Sequence, residues 1–111
     1  MSVRPVIESV VVRFNERVAN DPELRKELAG LTKKVQLDLG QEKYYFVLKE
    51  CSVPCVCDGV MAETPDITLF SDPETITKIV SGEMKMMKAW ALKKVRLKGS
   101  IEDLMRFRKF L

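Results

Sequence analysis

Residues 66–99, DITLFSDPETITKIVSGEMKMMKAWALKKVRLKG, decide how the chain is read. Residues 66–70 form a short β run with Ile67 and Leu69 on one face, and the run stops at Ser71-Asp72-Pro73-Glu74. That stop is a helix start. Ser71 and Glu74 have capping-box spacing, with the hydroxyl accepting from a first-turn N–H while the carboxylate reaches back, and Pro73 lies where no donor is required. Ile76, Ile79 and Val80 then share a helical face, and Ser81-Gly82 supplies a C-terminal cap. A second helix follows, carrying Met84, Met86, Met87 and Trp90. Residues 93–99 alternate strictly and predict a half-exposed strand.

Working toward the N-terminus, 62–65 is a polar crossover, preceded by three predicted strands. Residues 33–39 alternate, with Val35, Leu37 and Leu39 inward and Lys34, Gln36 and Asp38 outward. Gly40-Gln41-Glu42 is a tight turn, so 43–50 pairs antiparallel with 33–39. The run Tyr44 to Leu48 is apolar on both faces, which predicts a central or doubly covered strand. The third strand spans 53–60, and Pro54 confines it to an edge or to its own first residues.

Ahead of these strands, Val6, Ile7, Val10, Val11, Phe14 and Val18 recur at helical spacing over 4–20, with Val12 off the stripe and Glu8, Arg13, Glu16 and Arg17 on the wet side. Asp21 and Pro22 start a second helix that buries Leu24 and Leu28 and ends at Gly30. At the other end, Ser100 caps a helix over 101–111 whose first turn holds Glu102 and Asp103, where negative charge suits the helix dipole. Ile101, Leu104, Met105 and Leu111 face one way, flanked by Phe107 and Phe110. This order of elements predicts an α+β fold with helices on one face of a sheet.

The chain of 111 residues has room for one core, so a single domain over 1–111 is expected. A content of 46% hydrophobic and 32% charged residues is that of a globular protein. No apolar run reaches the length of a membrane span, and the N-terminus carries no leader pattern. A cytoplasmic location is the expectation. Residues 83–111 hold nine basic and three acidic side chains, enough to meet an anionic lipid head group, a carboxylate or nucleic acid. The plainer alternative is that Lys94, Arg96 and Lys98 are the solvated face of an edge strand.

Cys51, Cys55 and Cys57 share strand parity, which predicts three buried thiols on one face, slow to react in the folded protein. As a metal site they are weak, because the spacing is not that of a zinc finger and the chain has no histidine.

The element order, and within it the run P-D-I-T-L before a capped helix, S-G-x-M, a Met-rich helix ending at Trp90 and K-x-V-R-L-K-G, resembles the sterol-carrier-protein-2 family. The resemblance implies a five-stranded mixed sheet under a layer of helices, with an apolar tunnel between them that takes fatty acyl chains, acyl-CoA, sterols or other lipids. It brings no catalytic residues. The chain departs from the family's pattern at Ser100, where an acidic residue or Asn is usual, and its Lys109-Phe110-Leu111 end lacks the Ser-Lys-Leu type of peroxisomal signal.

The residues themselves offer no histidine, no phosphate-cradling glycine loop and no activated nucleophile pair beyond the cysteines, so no enzymatic activity and no cofactor are expected. Four of the six methionines lie in 84–105 beside Trp90, and Met re-packs around varied ligands. The reading is a non-catalytic lipid carrier. Its expected pocket wall is Val10, Val11 and Phe14 of the first helix, Ile76, Ile79, Val80, Met84, Met87 and Trp90 of the central helices, and Leu104, Met105 and Phe110 of the last. Expected partners are a lipid or fatty-acyl ligand and, transiently, an anionic membrane surface. Nucleic acid is not expected, since aromatic residues do not interleave with the basic ones as in stacking platforms. The chain is read as a monomer or weak homodimer. A ligand-free dimerisation domain and a thiol or metal module remain the alternatives.

Overall fold

A computed structural model describes residues 2–108, with side chains through residue 105, so Phe110 and the last helical residues expected over 109–111 lie outside the described residues. The element order is α1 (Arg4–Asn20), α2 (Pro22–Leu28), β1 (Thr32–Asp38), β2 (Lys43–Lys49), β3 (Cys57–Asp58), β4 (Ile67–Phe70), α3 (Pro73–Ser81), α4 (Met86–Ala91), β5 (Arg96–Gly99) and α5 (Ile101–Arg108). The strands form one five-stranded sheet in the order β3-β2-β1-β4-β5. β1 is antiparallel to β2 and parallel to β4, and the edge pairs are antiparallel, so the sheet is mixed and the fold is α+β.

Register explains which side chains share a face. Val35 stands opposite Phe46 and Ile67, and Ile67 opposite Gly99; one step along, Leu37 stands opposite Tyr44 and Leu69, and Leu69 opposite Leu97. These rows form the floor beneath the helices. Val35, Leu37, Ile67 and Leu69 are buried there, together with Ile7, Val11 and Ile76 from α1 and α3.

The helix ends follow local chemistry. Asp21 accepts from the N–H groups of Glu23 and Leu24, and Gly82 closes α3 at φ 87°, a left-handed conformation that favours glycine. Ser100 Oγ accepts from the Asp103 N–H at 3.1 Å and starts α5. Gly99 is required for space. A methyl group there would come within 2.7 Å of the Asp66 carbonyl oxygen, where β5 passes the start of β4.

Several expectations are corrected. α3 is capped by Asp72, whose carboxylate accepts from both the N–H and the hydroxyl of Thr75 at 2.7 Å, while Ser71 Oγ donates to the Lys94 carbonyl at 2.8 Å. The central strand is β1, not β2. Gln36 faces away from the helices as expected but is only 6% exposed, because the chain at Gly59 to Met61 lies over it. The third strand shrinks to two residues, since the chain reverses at Glu50 and Cys51, both at positive φ, before it can pair. Asn15 then holds the extended segment, donating to the Val53 carbonyl and accepting from the Val53 N–H, both at 2.8 Å. β5 begins at Arg96 because Lys93, at φ 59°, turns the chain out of α4.

Candidate functional site

Between α1, α3 and the floor of β1, β2 and β4 lies a cavity of about 390 Å³. Its size falls within the roughly 300–1,000 Å³ typical of small-molecule sites. Val10, Val11 and Phe14 come from α1, spaced so that one helical face meets the space, and Ile76, Ile79 and Val80 come from α3 in the same way. The expected wall residues of these two helices are therefore together. Val35, Leu37, Phe46, Leu48, Ile67 and Leu69 complete the floor.

The other expected wall residues stand elsewhere. Met84, Met87, Trp90, Leu104 and Met105 line a second, more polar groove with Leu97 and Ile101, under α4 and α5. Met84 lies ahead of α4 rather than in it, its N–H bonded to the Lys78 carbonyl. Met87 is 64% exposed and Trp90 48%, and Ile101 and Met105 are exposed instead of turned inward. Ile79 and Met86 border both spaces.

Sequence reasoning missed the cavity's charged rim. Among the described residues, four charged side chains line the cavity: Arg13, Arg17, Lys33 and Asp103. Lys33 Nζ pairs with Asp103 Oδ1 at 2.8 Å, and the two side chains are only 24% and 10% exposed. Strand parity held the clue for Lys33, which shares the inward face with Val35 and Leu37. Arg13 and Arg17 lie one helical turn apart, beside Val10 and Phe14; both are exposed, as their place on the wet side predicts, and they also border the cavity. Asp103 was legible only as a helix-dipole residue, since its partner is 70 positions away.

The cysteines do not form a buried face. Cys55 is exposed, and Cys51 and Cys57 are half-buried, because the turn at 50–51 and the short β3 break the parity of a continuous strand. Cys51 Sγ reaches the Arg25 carbonyl at 3.5 Å, apart from the other two. The Cys57 sulfur, 3.8 Å from that of Cys55, raises the Cys55 thiol above the ordinary thiol range, and desolvation adds to the effect. That environment disfavours the reactive thiolate. No group of three His, Cys, Asp or Glu side chains among the described residues could hold a metal ion. No helix among them is long and apolar enough to cross a membrane.

The fold recurs in solved structures. The solution structure of palmitated sterol carrier protein 2 like 2 from Aedes aegypti matches 98% of this chain and 93% of its own, with TM-score 0.72 and 23% identity. The crystal structure of sterol carrier protein 2 like 2 from the same organism matches 99% of this chain and 100% of its own, with TM-score 0.68 and 20% identity. A stereoselective inverting sec-alkylsulfatase from Pseudomonas sp. contains a similar unit, matched by 100% of this chain over 16% of its length, with TM-score 0.70 and 14% identity. No curated protein sequence matches the chain. The model of the SCP-2 sterol transfer family matches residues 13–111, and with that match over nearly the whole length the chain belongs to this family.

Proposed function

We propose that residues 1–111 act as one non-catalytic lipid carrier, which holds an acyl chain or similarly slender lipid in the cavity under α1 and α3 and releases it at an anionic membrane surface. The observation that carries this reading is the cavity itself. Close-packed interiors hold few voids larger than a water molecule. An apolar guest in this space gains about 0.8 kcal/mol for each methylene taken from water. Val10, Val11, Phe14, Ile76, Ile79 and Val80 are the proposed contacts for the chain. Family membership supports the same reading, as does the palmitated state named for one structural relative.

The groove of Met84, Met87, Trp90, Leu104 and Met105 is assigned to the membrane step. Its exposed apolar side chains have Lys85 and Lys88 beside them, and Trp suits a site apolar at one end and wet at the other. Among the described residues the dimerisation and thiol or metal readings have no comparable feature.

A fluorescent fatty-acyl probe should bind saturably, one per chain. Val80→Trp, which fills the cavity from α3, should abolish binding while circular dichroism and the melting temperature stay near wild type. Met87→Glu, in the groove, should bind the probe as wild type does. Unsaturable binding, or loss in Met87→Glu with retention in Val80→Trp, overturns the assignment of the cavity.

A further inference from the structure

We propose that Cys55 and Cys57 form a two-thiolate site that takes up one soft monovalent cation, cuprous copper being the biological member of that class. The site is accessory to the lipid reading and does not rest on it. Cys57 pairs with Tyr45 and Tyr45 with Gln36, so Cys57 lies on the sheet face turned away from the cavity. The two sulfurs are 3.8 Å apart, with Cys55 exposed and Cys57 half-buried. Cysteine is among the most buried residue types, and an accessible pair in contact completes no core.

The chain around the pair is fixed from both sides. Upstream, Asn15 holds the N–H and the carbonyl of Val53, and Pro54 locks its own φ. Between the two cysteines Val56 is buried, and its carbonyl accepts from Arg4 Nη2 at 2.6 Å. Downstream, Cys57 and Asp58 are in register with Tyr45 and Tyr44, and the Gly59 N–H donates to the Lys43 carbonyl at 2.8 Å. The sulfurs therefore meet on a backbone that needs little ordering when an ion arrives.

Their separation selects the occupant. Two sulfur–metal bonds of about 2.3 Å each bridge 3.8 Å when bent and about 4.6 Å when straight, so small side-chain rotations suffice. A disulfide requires about 2.05 Å, against the pinned backbone. Structural zinc takes four donors, and no group of three His, Cys, Asp or Glu side chains among the described residues could hold a metal ion. Soft thiolates select Cu(I), for which two donors are enough. Binding breaks two S–H bonds, forms two S–Cu bonds and sends two protons to solvent, with no change of oxidation state. Cys57 raises the Cys55 thiol, and the positive charge of Arg4 opposes that rise. The same charge offsets the single negative charge of two thiolates around one monovalent ion.

Titration of the reduced protein, without oxygen, into the coloured Cu(I) complex of bicinchoninate tests the proposal. Wild type should withdraw one ion per chain, and so should Cys51→Ser, whose sulfur lies apart at the Arg25 carbonyl. Cys55→Ser and Cys57→Ser should withdraw none at the same concentrations, with circular dichroism controlling the fold. A second measurement needs no variant. One equivalent of Cu(I) should slow iodoacetamide labelling of Cys55 and Cys57 in wild type by about tenfold or more, since only the free thiolate reacts, and leave Cys51 unchanged. Zinc added in place of copper should be lost on gel filtration. No withdrawal by wild type, labelling that ignores copper, or zinc retained at one per chain overturns the site. Withdrawal that survives Cys57→Ser overturns it in favour of the thioethers of Met84, Met86 and Met87. Half an ion per chain with a doubled mass in native mass spectrometry overturns it in favour of a bridge between two chains.

Discussion

Gln36 shows how much one side chain organises. Its amide donates to the Tyr44 and Gly59 carbonyls, both at 3.0 Å, and accepts from the Met61 N–H at 3.0 Å. Three backbone groups of two separate segments are satisfied by one residue on the central strand. Gln36→Leu keeps the volume but leaves the Gly59 carbonyl and Met61 N–H without this partner, at a cost of about 1–3 kcal/mol for a buried group left unsatisfied. Chemical denaturation should show a lower midpoint with an unchanged slope, and probe binding at 25 °C should persist, because Gln36 lies on the face away from the cavity. An equal midpoint would mean that water replaces the amide. Alternation along β1 could not reveal this role, since parity assigns a side chain to a face and says nothing of what later covers that face. Lys33 is the converse case, since its parity with Val35 and Leu37 does place it on the inward face.

Among the elements, α3 was the most legible and still differs at its first residue. Ser71 and Asp72 are adjacent, and both are good capping residues. Only the distant Lys94 carbonyl, which takes the Ser71 hydroxyl, leaves the cap to Asp72. Burial works to raise the Asp72 carboxyl, but the Thr75 N–H and hydroxyl, with Lys94 and Lys78 nearby, outweigh it and hold the group below its ordinary 3.8. A carboxyl lowered on folding adds stability above the unfolded value and loses it as pH falls through the folded one. Asp72→Asn preserves an acceptor for the Thr75 N–H and removes the titration. The melting temperature of the variant should therefore fall less steeply than that of wild type below about pH 4. Parallel acid limbs would assign the acid sensitivity to other carboxylates. The apolar faces of α1 and α3 were readable from helical spacing, whereas the turn at Met84 ahead of α4 depends on a bond to Lys78 that no periodicity encodes.

At the scale of the whole molecule, the structure separates two apolar spaces that the sequence had merged into one wall. The cavity takes the side chains of α1, α3 and the sheet, and the groove takes those of α4 and α5, with Ile79 and Met86 as the partition between them. On the proposed reading, loading and delivery fall on different residues of a small fold. Trp90, the sole tryptophan of the chain, lines the groove and not the cavity. Its indole is consequently an intrinsic optical reporter of one step only. Filling the cavity with hexadecanoate in plain buffer should leave its emission maximum in place. Anionic vesicles, which attract nearby lysines by about 1 kcal/mol each over a Debye length of about 8 Å, should shift it to shorter wavelength, and added salt should return it. Equal spectra with anionic and neutral vesicles at low salt would remove the groove from the membrane step. A chain with its one tryptophan so placed can be watched at the bilayer without a label, and on the proposed reading the indole's colour distinguishes a carrier that has docked from one that is merely full.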